Sequence, residues 1–263
     1  MYDACIRTSG AGPSLVLVPG LDGTGKLFYR QVRSLARRHR VATYTLREAA
    51  TMEDLVADLA DVIRTVAHDQ RATVVGESFG GAVALSFALA HPELLERLVI
   101  LNSFPRFLPQ YRLRLAAWVL AAIPFPWQVM TAVRRLTASR LHSRYTHARE
   151  IRRFLVLTAR TTRLGYLQRL RILRDYDVRH RLGEIRVPTL LLASDRDHLV
   201  PSVHQARYMA ARIPGATVRL LEGHGHICLI APNVDLGQIL QEWTDQASKR
   251  RKNAPVASLG AQA

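Results

Sequence analysis

The chain has 263 residues, 48% of them hydrophobic, two cysteines and a formal net charge of +16. That length and apolar content suit one large α/β domain with a sizeable core and room for an inserted subdomain. No apolar run reaches the roughly 20 residues that span a bilayer, no N-terminal stretch combines a basic start with a long apolar run and a small-residue cleavage site, and Cys5 and Cys228 lie too far apart for a metal motif, so a membrane span, a secretory leader and a cysteine metal site are set aside and two unpaired thiols in the cytoplasm are expected.

Leu15 to Val18 reads as a short apolar strand ending in the loop Pro19-Gly20-Leu21-Asp22-Gly23-Thr24-Gly25. That loop lacks a Gly-Lys-Ser/Thr ending, which argues against a nucleotide phosphate cradle, and no cofactor is expected. A helix is predicted over Leu27 to Arg38, a strand over Val41 to Thr45, and a helix from Met52 to Ala67 with Thr51 as its N-cap. Thr73 to Gly76 is the next strand. It runs into Gly76-Glu77-Ser78-Phe79-Gly80-Gly81 and then a helix-forming run, Ala82 to Ala90. Strand, Gly-x-Ser-x-Gly and helix in that order are the setting of a nucleophile elbow, in which a serine sits on a strained turn and its neighbours at −2 and +2 must be small. Leu98 to Leu101 follows as a strand.

The stretch from 105 to 184 breaks this alternation. It has no convincing strand and several helical patterns, such as Leu113 to Ile123 and Glu150 to Arg160. It also holds 17 Arg, no Lys and four acids (Glu150, Asp175, Asp177, Glu184), a local charge of +13. Lys249, Arg250, Arg251 and Lys252 add four more charges, so the remainder is close to neutral and the basicity reads as a local partner signal. Strands are predicted again over Thr189 to Ala193 and Thr217 to Leu221, with helices over Ser202 to Ile213 and Val234 to Ala247. Short buried strands alternating with amphipathic helices predict a mostly parallel, doubly wound sheet. The expected organisation is a core over 1–104 and 185–247, a helical cap over 105–184 and a basic disordered tail over 248–263.

A serine hydroxyl needs a base within hydrogen-bond reach and an acid that orients the base, and in this setting the chain order is Ser, acid, His. Downstream of Ser78 the acid falls in the loop Ser194-Asp195-Arg196-Asp197-His198-Leu199-Val200-Pro201. Asp197 is the choice and Asp195 the alternative. The base falls in Gly223-His224-Gly225-His226, where His226 is favoured over His224 because an apolar run begins directly after it. The two histidines find no third ligand at a matching spacing, so no metal is expected. The oxyanion would be held by the N–H groups of Phe79 and Leu21, with Gly76 and Gly80 shaping the elbow.

These residues resemble the α/β-hydrolase superfamily over roughly 14–104 and 186–247. The loop at 19–25 with the elbow is similar to the phytyl ester synthase group, which are acyltransferases. The Arg-rich helical cap is similar in arrangement to the carrier-protein methyl ester esterases, in which cap arginines engage an acidic acyl carrier protein. The usual His-Gly of the oxyanion loop is Pro19-Gly20 here. The resemblance implies a serine esterase acting on a small-molecule ester or thioester. An acyltransferase using the same triad and a non-catalytic basic module on the hydrolase fold stand as alternatives. The apolar run Leu115 to Ile123 suggests a roof over an acyl pocket. The cap points to an acidic carrier protein or an anionic membrane surface, and nucleic acid is not expected, since no binding motif accompanies the arginines.

Overall fold

The computed structural model describes residues 5–67, 71–107, 111, 141–159 and 161–253, without the side chains of 250–253. Among these, seven strands form one sheet in the order β1-β3-β2-β4-β5-β6-β7: β1 (Arg7–Ser9), β2 (Ser14–Val18), β3 (Arg40–Thr43), β4 (Ala72–Glu77), β5 (Leu95–Leu101), β6 (Thr189–Ser194) and β7 (Thr217–Leu221). All neighbours pair in parallel except β1, which runs antiparallel to β3. The interleaved helices are α1 (Tyr29–Leu35), α2 (Met52–Val66), α3 (Phe79–Ala90), α4 (Ala148–Thr158), α5 (Arg163–Asp175), α6 (Ser202–Ala210) and α7 (Leu236–Asn253). None of the described helices is long and apolar enough to cross a membrane.

The inner strands β2, β4 and β6 are buried throughout because both faces of the sheet are covered there, and alternation sends successive residues to opposite sides. Val16, Val74, Leu98 and Leu191 join one cluster with residues of α2, α3, α5 and α6. Leu17, Val75, Val99 and Leu190 join a second cluster with Leu35 of α1 and Leu236, Ile239 and Leu240 of α7. β7 closes one edge, and its outward Val218 and Leu220 are exposed. The doubly wound reading therefore holds.

Several boundaries differ. The helix expected from Leu27 begins as a 3-10 turn, Lys26–Phe28, and becomes α-helical only from Tyr29. Thr51 is the N-cap, as expected, and the structure adds a capping box, with Asp54 answering the Thr51 N–H. The chain after Ala247 is a correction: α7 continues to Asn253, so 248–253 is helical rather than disordered. Lys and Arg are good helix formers, and their charge suits the negative end of the helix dipole. Residues 254–263 lie outside the described residues, as do the helix expected over 113–123 and the apolar roof over 115–123. Of the expected cap, α4 and α5 are described. They precede β6 in the chain and pack beside the loop that follows β2.

Candidate active site

The C-terminal rim of a parallel sheet collects the loops that follow its strands, and this is where open α/β sheets place ligands. Here the rim gathers the loops after β2, β4, β5, β6 and β7.

Ser78 stands between β4 and α3 with φ 53° and ψ −117°, a left-handed conformation rare for a residue with a Cβ. The turn is held by the Ser78 N–H donating to Leu101 O at 2.9 Å and the Ser103 hydroxyl donating to Ser78 O at 2.6 Å. It is tight enough that a Cβ on Gly76 would sit 2.4 Å from Gly80 O, and a Cβ on Gly80 2.2 Å from Val18 O. The strain predicted for this serine is thus paired with the close backbone approach that its glycine neighbours permit.

His226 Nδ1 donates to Asp197 Oδ2 at 2.7 Å, and His226 Nε2 lies 2.9 Å from Ser78 Oγ. A buried carboxylate can only accept, so Nδ1 carries the proton and Nε2 of the neutral ring is left to accept from the serine. Both partners are nearly enclosed, with side chains 7% and 1% exposed. Burial alone would raise the pKa of Asp197. The charge and hydrogen bond of His226, the Ser202 hydroxyl and the Val200 N–H together hold it below the ordinary value. Burial likewise disfavours the His226 imidazolium, but the Asp197 charge and hydrogen bond, with the Glu77 charge behind them, carry its pKa above 6.5.

The alternative residues serve the scaffold. Asp195 Oδ1 accepts from the N–H groups of Gly223 and His224 at 2.6 and 3.2 Å, fixing the backbone of the histidine loop. His224 turns toward the chain before α4, where its Nδ1 meets Ser143 Oγ at 2.6 Å. Next to it, the Ile227 N–H donates to Leu141 O at 2.8 Å, so the histidine loop is laced to the 141–143 segment. His198 is exposed. Among the described residues, no three His, Cys, Asp or Glu side chains converge as a metal site.

The oxyanion loop passes beside the serine: a Cβ on Gly20 would lie 3.7 Å from Ser78 Cβ. The N–H groups of Leu21 and Phe79 donate to no described residue, Phe79 being the first residue of α3. A helix N-terminus adds a partial positive charge at that point.

Four supporting residues escaped the sequence reading. Asn102, at the end of β5 with φ 47°, donates from Nδ2 to His226 O at 2.8 Å and Ser194 Oγ at 2.9 Å, and accepts from Ser194 N at 2.8 Å. It joins three strand ends and sets the height of the histidine loop. Ser202 donates to Asp197 Oδ2 at 2.5 Å, while the Leu199 and Val200 N–H groups occupy Oδ1. Arg169, on α5, donates to the oxyanion loop. Glu77 is 6% exposed beside Ser78, and burial pushes its carboxyl up to about 7, with the charge of His226 opposing and those of Asp22 and Asp197 adding. Asn102 directly follows an apolar strand run, and a polar residue at that rim position is the one signal the sequence offered for any of the four.

A family model described as the alpha/beta hydrolase fold matches residues 13–231. The chain is 32% identical over 261 residues to the “Putative carbamate hydrolase RutD” of Caulobacter sp. (strain K31), covering 89% of this chain and 92% of the relative. It is 28% identical over 245 residues to the pimeloyl-[acyl-carrier protein] methyl ester esterase of Nitrosomonas europaea, covering 84% and 91%. In fold, a thermophilic esterase from Thermogutta terrifontis superposes with a TM-score of 0.79 at 21% identity, covering 92% of this chain and 93% of that one.

Proposed function

The chain belongs to the α/β-hydrolase family, and we propose that within it this protein is a serine carboxylic-ester hydrolase that forms an acyl-enzyme on Ser78. The observation that carries the reading is the unbroken chain of contacts from Asp197 through His226 to Ser78, at 2.7 and 2.9 Å, on a serine held at positive φ. Ser78 Oγ attacks the ester carbonyl carbon while its proton passes to His226 Nε2. Asp197 keeps the ring in the productive tautomer and stabilises the imidazolium. The N–H groups of Leu21 and Phe79 take the charge on the tetrahedral oxygen, a contribution worth about 10²–10³ in turnover per donor in comparable sites. Collapse breaks the bond to the alkoxy oxygen, which leaves with the proton from His226. Water, deprotonated by the same nitrogen, then releases the acid.

The test is active-site labelling with a fluorophosphonate, together with a series of p-nitrophenyl esters of graded chain length. Wild type should label at Ser78 and turn over the esters; Ser78→Ala should do neither. Labelling that survives the substitution would sink the reading. A carbamate is the second substrate class, favoured by the name of the relative from Caulobacter sp.. The same attack would give a carbamoyl-enzyme, and a p-nitrophenyl carbamate in the series separates the two by kcat/KM.

The substrate's carrier is proposed from the charge of the cap. Arg149 and Arg152 are exposed on α4, and Arg171 and Arg174 on α5. An acidic acyl carrier protein is the partner that this face suits, delivering its ester to Ser78.

A further inference from the structure

The oxyanion loop turns at Gly20 to Gly23, closed by the Gly23 N–H donating to Gly20 O at 2.9 Å. That bond uses the outer residues of the turn. The carbonyls of the two central residues, Leu21 and Asp22, lie outside that bond. Backbone carbonyls need partners, and side chains of the α5 region donate to both. Arg169 Nε donates to Leu21 O at 3.0 Å, and the Thr161 hydroxyl donates to Asp22 O at 2.9 Å.

Arg169 is only 4% exposed, an unusual position for a guanidinium unless something requires it. Space has been made for it on both sides. A Cβ on Gly23 would lie 2.8 Å from the guanidinium carbon and both terminal nitrogens, and a Cβ on Gly165 3.2 Å from one of those nitrogens. The slot therefore comes half from the oxyanion loop and half from the first turn of α5. A planar fork with a donor at Nε fits it; a lysine ammonium offers neither the plane nor that donor position.

We propose that Arg169 is a positioning residue for the oxyanion hole, holding the Leu21 carbonyl from the cap and so fixing the loop whose Leu21 N–H meets the developing oxyanion. The N–H and C=O of Leu21 lie in adjacent peptide planes that share one Cα, and the Gly23 to Gly20 bond closes the turn around them, so a tilt of the plane that carries the carbonyl must be compensated by a tilt of the plane that carries the N–H. Oxyanion donors act over a narrow window, about 2.7–3.1 Å. The cap is thereby coupled to chemistry: a shift of α5 moves a transition-state contact without touching the triad. The inference rests on the serine-hydrolase reading above.

The test compares wild type with Arg169→Met, which keeps an aliphatic stem and removes the donors, Arg169→Lys, and Thr161→Val. Each is measured for kcat and KM on a short p-nitrophenyl ester. Each is also measured for affinity toward a trifluoromethyl ketone, whose adduct with Ser78 places an oxyanion in the hole. Arg169→Met should lower kcat by about tenfold or more, leave KM within about twofold, and weaken the ketone by the same factor as kcat/KM. Lysine should not restore it. A role in cap stability alone would lower the melting temperature and leave the kcat of the folded enzyme and the ketone affinity in place, which would overturn the proposal, as would a loss confined to KM. Should Arg169→Met not fold, Arg169→Lys carries the same test, with a parallel loss expected in kcat and ketone affinity and unchanged values overturning the proposal. Fluorophosphonate labelling of the wild type keeps the two readings apart. A wild type that neither labels nor binds the ketone defeats the hydrolase reading. A wild type that does both, with variants that match it, defeats only the role of Arg169.

Discussion

In the proposed mechanism His226 is neutral when it takes the proton of Ser78, and its neighbours decide where on the pH scale that holds. Burial opposes the imidazolium, while Asp197 and then Glu77 favour it and win, placing the pKa above 6.5. kcat/KM should therefore fall as pH drops, with a midpoint above 6.5. A wild-type midpoint at or below that value would contradict the geometry. Asp197→Asn removes the two contributions that raise the pKa most, so the limb should move to lower pH while turnover falls by about 10⁴. Glu77 gives a separate, thermodynamic prediction. Its folded pKa of about 7 lies above the ordinary 4.5, so the folded state holds the proton more tightly than the unfolded chain. Stability is then fully present below about 4.5 and is lost as pH rises through about 7, a loss of about 3 kcal/mol. Glu77→Gln abolishes that loss. Urea unfolding should show the variant gaining on wild type by about 3 kcal/mol between pH 4.5 and pH 8, and a pH-independent difference would refute it. Ser78, Asp197 and His226 were legible because each sits in its own short signature in a fixed chain order. Asn102 and Arg169 were not, because their contacts reach 124 and 148 residues away, to His226 and Leu21. His226 was favoured over His224 on the apolar run that follows it, but no sequence signal shows that Ser143 stands opposite His224.

Among the elements, the strands buried on both faces were the most legible, since a continuous apolar run bounded by turn residues has few other uses. Of these, β2, β4 and β6 each extend their expected spans by one or two residues, and the half-exposed edge strand Thr217–Leu221 matches its own. β1 was missed because Arg7, Thr8 and Ser9 are all exposed and take part only through backbone pairing with β3. No side-chain pattern marks such an edge strand. Helix ends were over-read where the chain leaves the helix through turns: α1 stops at Leu35 and α6 at Ala210, each followed by shorter-range bonds such as Arg37 N to Ser34 O and Arg212 N to Met209 O. The junction of α3 with β2 yields the element-scale prediction. Gly80→Ala places a methyl 2.2 Å from Val18 O and 2.6 Å from Pro19 O, both backbone atoms that hold the sheet and the oxyanion loop. Relief requires α3 to move away from the sheet, at about 3 kcal/mol, and it carries Phe79 N–H with it. Activity should fall by more than the unfolded fraction explains, as measured by kcat on the folded population. An active variant of native stability would show that the close approach is not required.

For the whole molecule, the charge is divided by region. The four acids between 105 and 184 are each met by neighbouring arginines: Glu150 by Arg30 and Arg149, Asp175 by Arg174, Asp177 by Arg106 and Arg179, and Glu184 by Arg181. Seventeen arginines against four acids leave a cationic surplus that no internal pairing can absorb. Not every exposed arginine is available to a partner. Arg153 stacks its guanidinium over the Tyr29 ring at 3.8 Å, and the Tyr29 hydroxyl in turn donates to Glu150, so Arg153 helps fix α4 to the start of α1. Arg152, one position earlier, is exposed, and no acid among the described residues pairs with it. Arg152→Glu is therefore the cleaner probe of a docking face, since it changes the charge by two units without disturbing the Tyr29 stack. Attraction between exposed charges fades beyond about 8 Å at physiological ionic strength, so a partner held by this face should respond to salt. With an ester carried on an acidic acyl carrier protein, KM should rise several-fold in Arg152→Glu and should rise with sodium chloride in wild type. With a short p-nitrophenyl ester, which reaches Ser78 without touching α4, neither change should alter KM. If the two substrates respond alike, the cap charge acts on the fold or the pocket and not on a carrier. If only the carried ester responds, Ser78 defines the bond that is cut and the arginines of the cap define which molecules bring it.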